Sequence, residues 1–118
     1  MSLENNVYVV FNDGKRDFYK AKSFGKTVNV FDSGYDNQYR NTDVMVEHIK
    51  EKLEYYMDED YILIVGEPLL CALVINVAIE LSESKRVRML RWDKFLMNYH
   101  PVEVDFSCVK QTQKDFGI

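Results

Sequence analysis

The chain has 118 residues, 47% hydrophobic and 29% charged, with a formal net charge of −4. That size and balance fit one globular domain and exclude a disordered chain. The acidic total argues against a general nucleic-acid binder, whose phosphate contacts need a basic surface.

The first predicted element is a strand over residues 7–11. Val7, Tyr8, Val9, Val10 and Phe11 form an unbroken apolar run without two-residue alternation, which suits a strand covered on both faces. Asn12, Asp13, Gly14 and Lys15 spell a turn. Residues 17–24 read as a short helix closed by Gly25, and residues 27–31 as a second strand. A polar loop follows over 32–41, holding Ser33, Gly34, Tyr35 and Tyr39.

Thr42 or Asp43 can cap the next helix, in which Val46, Ile49, Leu53 and Tyr56 or Met57 recur at helical spacing beneath an acidic outer face. Residues 61–65 read as a third strand, Gly66 as a sharp turn, and Pro68 as the first residue of a helix over 68–82. A fourth strand over 86–92, a turn over 93–100 and an antiparallel edge strand over 102–106 complete the pattern. Residues 107–118 show no periodicity and are expected to form a loose tail.

Strands alternating with helices predict an α/β fold: a three-layer, Rossmann-like domain over residues 1–118. Its mostly parallel five-stranded sheet would run in the order 2-1-3-4-5, with the last strand antiparallel. Residues 1–6 are polar and the apolar run 7–11 is too short for a secretory signal. The longest apolar stretch, 68–79, falls short of the ~20 residues that span a bilayer. Cys71 and Cys108 are too few for a disulfide framework or a zinc site, so a reducing cytoplasm is the expected setting, away from membranes.

In such sheets ligands collect beyond the carboxyl ends of the parallel strands. The candidate ligand-binding residues there are Asn12, Asp13 and Lys15 after strand 1, and Ser33 and Gly34 after strand 2. Gly66 and Glu67 follow strand 3, and Trp92 and Asp93 follow strand 4. The free N–H groups that open the helix at Pro68 would favour an anion, although Glu67 would repel one and can itself cap the helix. Neither a dinucleotide-binding glycine fingerprint nor a P-loop is present. His48 and His100 stand outside any triad or metal spacing, so no catalytic residue, cofactor or metal is expected. The carboxylates Asp58, Glu59 and Asp60 read as a solvated loop.

Five bases, Lys85, Arg86, Arg88, Arg91 and Lys94, stand against Asp93 over residues 85–94. Strand alternation puts Arg86 and Arg88 on one face and Arg91 on the other, which disfavours a nucleic-acid footprint. Tyr35 and Tyr39 in the polar loop, with Phe95 and Tyr99 in the turn, read as exposed aromatics suited to an interface. The helix over 68–82 is apolar nearly all round, so two of its sides must be covered, the outer one either by a neighbouring helix or by another subunit. Leu70, Val74, Val77 and Leu81 are the candidate interface residues for a second copy or another protein.

Two blocks of sequence also carry a resemblance. The first is Val7, Tyr8, Val9 and Val10 with Asn12, followed by Asp17, Phe18, Tyr19, Ala21, Lys22, Phe24, Gly25 and Val28. The second is Asp60, Tyr61, Ile62 and Leu63 with Gly66 and Pro68, then Arg86, Val87, Leu90, Trp92 and Asp93. Together they resemble small uncharacterised α/β proteins encoded by tailed bacteriophages, over nearly the whole chain to Phe106. The resemblance implies a viral protein in the host cytoplasm and brings no catalytic residues. The chain departs from that group at Phe11, at Glu67 and in its longer loop over 32–41. The leading expectation is a non-enzymatic accessory protein acting through a host or viral protein partner or through homo-oligomerisation. The alternative is a binder or enzyme for a small nucleotide-like anion near Gly66.

Overall fold

The computed structural model describes residues 4–33 and 41–107. Five strands form one sheet: β1 (Asn6–Asn12), β2 (Lys26–Asp32), β3 (Tyr61–Leu63), β4 (Arg86–Asp93) and β5 (Asn98–Asp105). Their order is β2-β1-β3-β4-β5, as the sequence predicts. The pairs β1–β2, β1–β3 and β3–β4 are parallel and β4–β5 is antiparallel. Val7, Tyr8, Val9 and Val10 are buried because β1 lies inside the sheet with packing on both faces.

Handedness decides which face receives which connection. The link from β1 to β2 runs one way along the sheet, and the links from β2 to β3 and from β3 to β4 run the other way. Right-handed crossovers therefore send the first link to one face and the other two to the opposite face. Helix α1 (Thr42–Lys52) and helix α2 (Pro68–Leu81) accordingly share one face. There Met45, Ile49, Leu53, Leu70, Val74 and Val77 meet Tyr8, Val10, Ile62, Val87 and Met89. The other face is covered by a single 3-10 helix (Tyr19–Ser23) and its flanks, where Phe18 and Ala21 pack on Val7, Val9, Leu63 and Leu90. The third layer of this α/β sandwich is thus one thin turn rather than the helix expected over 17–24.

The same packing decides between the two ways of covering α2 in favour of the neighbouring helix. Leu70, Val74 and Val77 are at most 3% exposed, covered by α1 and the sheet of their own chain; of the four candidate interface residues only Leu81 reaches the surface. Burial on two sides within one chain accounts for most of the helix's apolar character, with Leu69 and Leu81 left exposed. The α1 cap is Asn41 rather than Thr42 or Asp43, its side-chain oxygen accepting from the N–H groups of Asp43 and Val44. Strand β5 begins at Asn98, four residues earlier than predicted, because the turn tightens at Met97, whose φ is +52°. The expected tail lies almost wholly outside the described residues.

Two carboxylates expected in a solvated loop are instead structural. Asp60 is 4% exposed and accepts from the N–H of Asn6 at 2.9 Å and from the N–H of Met57 at 2.8 Å, joining the start of β1 to the segment that leads into β3. Asp58 accepts from the N–H groups of Glu83 and Ser84 and so holds the α2–β4 turn. In the same turn Lys85 donates to the carbonyls of Ile79 and Glu80 and satisfies the last carbonyls of α2.

Asp60→Ala leaves two part-buried N–H groups without their acceptor and is expected to lower the unfolding free energy by about 1–3 kcal/mol in a urea titration. Asp60→Asn, which keeps one acceptor, costs less. Asp58 is held below the ordinary aspartate pKa, first by the Ser84 side chain, with the N–H groups of Ser84 and Glu83 and the Lys85 charge adding to it. The folded chain therefore takes up this proton less readily than the unfolded one. The stabilisation is complete above a pH of about 4 and is lost as pH falls through the lower native value. Asp58→Asn should flatten the acid limb of a stability–pH profile; an unchanged limb would refute the assignment.

Candidate functional site

The thin face leaves the carboxyl ends of β3 and β4 open, and a crevice of about 470 Å³ forms there. Leu63, Ile64 and Val65 make its floor where β3 ends. Arg16 and Asp17, in the connection after β1, form one wall, and Trp92 and Tyr99 the other. Trp92 and Tyr99 are cross-strand partners, with ring centroids 5.1 Å apart at 76°. Lys20 lies 5.7 Å from the Trp92 ring centroid and donates to the carbonyl of Met97, so it ties the 3-10 helix to the hairpin. Burial pushes the Tyr99 hydroxyl pKa upward; the Arg16 charge opposes the shift and Asp17 adds to it. Tyr99 is therefore a protonated hydroxyl at neutral pH.

Of the predicted ligand residues, only Trp92 lines this crevice. The others near the strand ends spend their polar atoms on the loops themselves. Asn12 accepts from the N–H of Gly14 and donates to Asn29. Asp13 accepts from the N–H of Lys15, and Asp93 from those of Phe95 and Leu96. These are Asx turns, in which the side chain stands in for a backbone partner. Lys15 and Ser33 are exposed, and Gly34 lies outside the described residues. Glu67 occupies the position before α2 but makes no capping hydrogen bond with its side chain.

Gly66 has a specific architectural cause. Its φ is +107°, and a Cβ built there would sit 2.7 Å from the Cβ of Phe11. The turn passes so close to β1 that only glycine fits. His48 is likewise structural, with Nε2 at the carbonyl of Val30 and its ring 4.9 Å from Phe31. Sequence reading missed Arg16 and Asp17. Their signal was position alone, in the segment beyond the carboxyl end of β1.

Beyond the crevice the hairpin continues outward. Phe95, Leu96 and Met97 are 89%, 65% and 58% exposed, consecutive at its tip, with Trp92 at 45% beside them. Farther down the same face Arg86 pairs with Asp105 and Arg88 with Glu103 across the strands, which leaves these arginines committed within the sheet. Among the described residues no cluster of His, Cys, Asp and Glu could hold a metal ion. Nor is any helix among them long and apolar enough to cross a membrane.

The fold and this face together define a class: a small α/β protein with one helix-covered sheet face and one half-open face that ends in an aromatic crevice and an apolar hairpin tip. The chain belongs to the Phage Pam3 gp32-like protein family, whose model matches residues 5–106. No match was found among curated proteins or solved structures.

Gly66→Ala should lower stability by about 1–3 kcal/mol, through the disfavoured φ and the contact with Phe11. A thermal melt reads this directly; an unshifted melting temperature would show that the turn tolerates a Cβ.

Proposed function

We propose that this phage protein is a non-enzymatic accessory protein of the host cytoplasm that acts by binding protein, either a second copy of itself or another host or viral chain. The observation that carries the reading is the run of three exposed apolar side chains at the β4–β5 tip, Phe95, Leu96 and Met97. Single exposed apolar residues are ordinary, but a contiguous group beside a half-exposed tryptophan has the composition of an interface anchor. The tip is also held in place: Asp93 accepts two turn N–H groups, and Lys20 bonds to the Met97 carbonyl. A held anchor loses less conformational entropy on binding than a free loop. Helix α2 contributes little to this surface, since Leu70, Val74 and Val77 are buried.

Sedimentation velocity at tens of micromolar is expected to show reversible self-association, weakened at least about tenfold by Phe95→Ser with Leu96→Ser and with little change in thermal stability. A strict monomer removes the self-association branch. The test then passes to proteins retained from phage-infected host extract by the wild-type chain and by the double variant. Identical retention by the two would sink the hairpin reading.

A further inference from the structure

The crevice carries an inference separate from protein binding. Its volume, about 470 Å³, is within the usual range of small-molecule sites, about 300–1,000 Å³. It lies beyond the carboxyl ends of parallel strands, where open α/β sheets bind ligands. Its chemistry is mixed in an ordered way. One wall is aromatic, the floor is apolar, and the opposite wall presents one cation and one carboxylate side by side.

Each part selects a ligand feature. Trp92 and Tyr99 offer aromatic surface to a flat ring. None of the ion pairs among the described residues uses Arg16, so its fork of donors faces an anion without first breaking a bridge. Lys20 adds a second positive charge beside the indole. The Tyr99 hydroxyl stays protonated at neutral pH and can donate. Asp17 accepts the N–H of Tyr19 through one oxygen, which leaves the carboxylate able to accept another N–H. A bare anion would meet Asp17 as repulsion, whereas a ring with an N–H edge turns the same carboxylate into a partner. The net charge of −4 disfavours a long polyanion but not a small ligand with a single anionic group.

We propose that this crevice binds a planar nitrogen heterocycle carrying one anionic group, of about mononucleotide size, with its ring against Trp92 and Tyr99, its anion on Arg16 and an N–H edge toward Asp17.

Trp92 is the only tryptophan in the chain, so indole fluorescence reports on this residue, and on the crevice wall where the protein is not self-associated. Titrations with AMP, GMP, CMP and UMP, excited at the red edge of the indole band, should give saturable quenching for at least one of the four. Arg16→Gln should weaken that ligand at least about tenfold. The matching nucleoside and inorganic phosphate, which each carry half of the chemistry, should bind at least about tenfold more weakly than the nucleotide. Phenyl phosphate, with a ring and an anion but no N–H edge, should also bind more weakly. With the protein below the concentration at which it self-associates, Phe95→Ser, outside the crevice, should leave the titration unchanged, so the two readings fail separately. The proposal is overturned if no nucleotide gives saturation up to millimolar concentration, or if saturation is insensitive to Arg16→Gln. It is equally overturned if inorganic phosphate or phenyl phosphate binds as tightly as the nucleotide.

Discussion

The handedness of the crossovers is the constraint on which the rest of the molecule depends. With strand order β2-β1-β3-β4-β5, both long crossovers must pass over one face, and only the short link from β1 to β2 reaches the other. That link has room for one 3-10 helix, Tyr19–Ser23. Its Phe18 and Ala21 cover β1, β3 and Leu90 of β4, and it meets the β5 side of the sheet at Tyr99 and through the Lys20–Met97 hydrogen bond. A half-open sheet follows from topology. The open half is where Trp92, Tyr99 and the hairpin tip come to lie.

Polar side chains follow a similar division of labour. At the helix-covered end, Asp58, Asp60 and Lys85 are fixed on backbone groups and hold β1, β3 and α2 in register. At the strand ends, Asn12, Asp13 and Asp93 build turns. Arg86 and Arg88 are matched across strands by Asp105 and Glu103; pairs this exposed contribute at most about 1 kcal/mol each but do occupy the cations. Arg16 and Asp17 sit at the crevice without such structural employment of the guanidinium. That contrast, more than the pocket's size, distinguishes this corner from the rest of the surface.

Sheet order, the direction of β5 and the two helices were legible in the sequence because each rests on a strong local signal. Val7 to Val10 form an unbroken β-branched run, Pro68 opens a long apolar helix, and the β4–β5 hairpin leaves no room for a crossover. The buried role of Asp60 was not legible, since an acid beside Asp58 and Glu59 looks solvated until β1 is placed against it. Which of the two possible covers α2 receives was not legible for a related reason. Periodicity says that a helix needs two covered sides, but only the placement of α1 shows that its own chain supplies both. A cavity does lie at the end of the sheet to which the sequence points, yet its walls come from Arg16 and Tyr99, residues brought together from distant parts of the chain. No sequence window contains that juxtaposition.

The two faces of the sheet differ in how much holds them down, and this has a consequence for how the native molecule opens. On one face two helices interlock with the sheet around residues of near-zero exposure; on the other a five-residue 3-10 helix rests on a few side chains and on the Lys20–Met97 tether. Sub-global opening begins where the least apolar surface must be released. Amide exchange should thus divide the chain into two tiers, with the 3-10 segment and hairpin opening well before β1 and the helices. The crevice then has a hinged wall, and whatever occupies it would act as a staple, slowing exchange in residues 16–24 while leaving the helical core untouched.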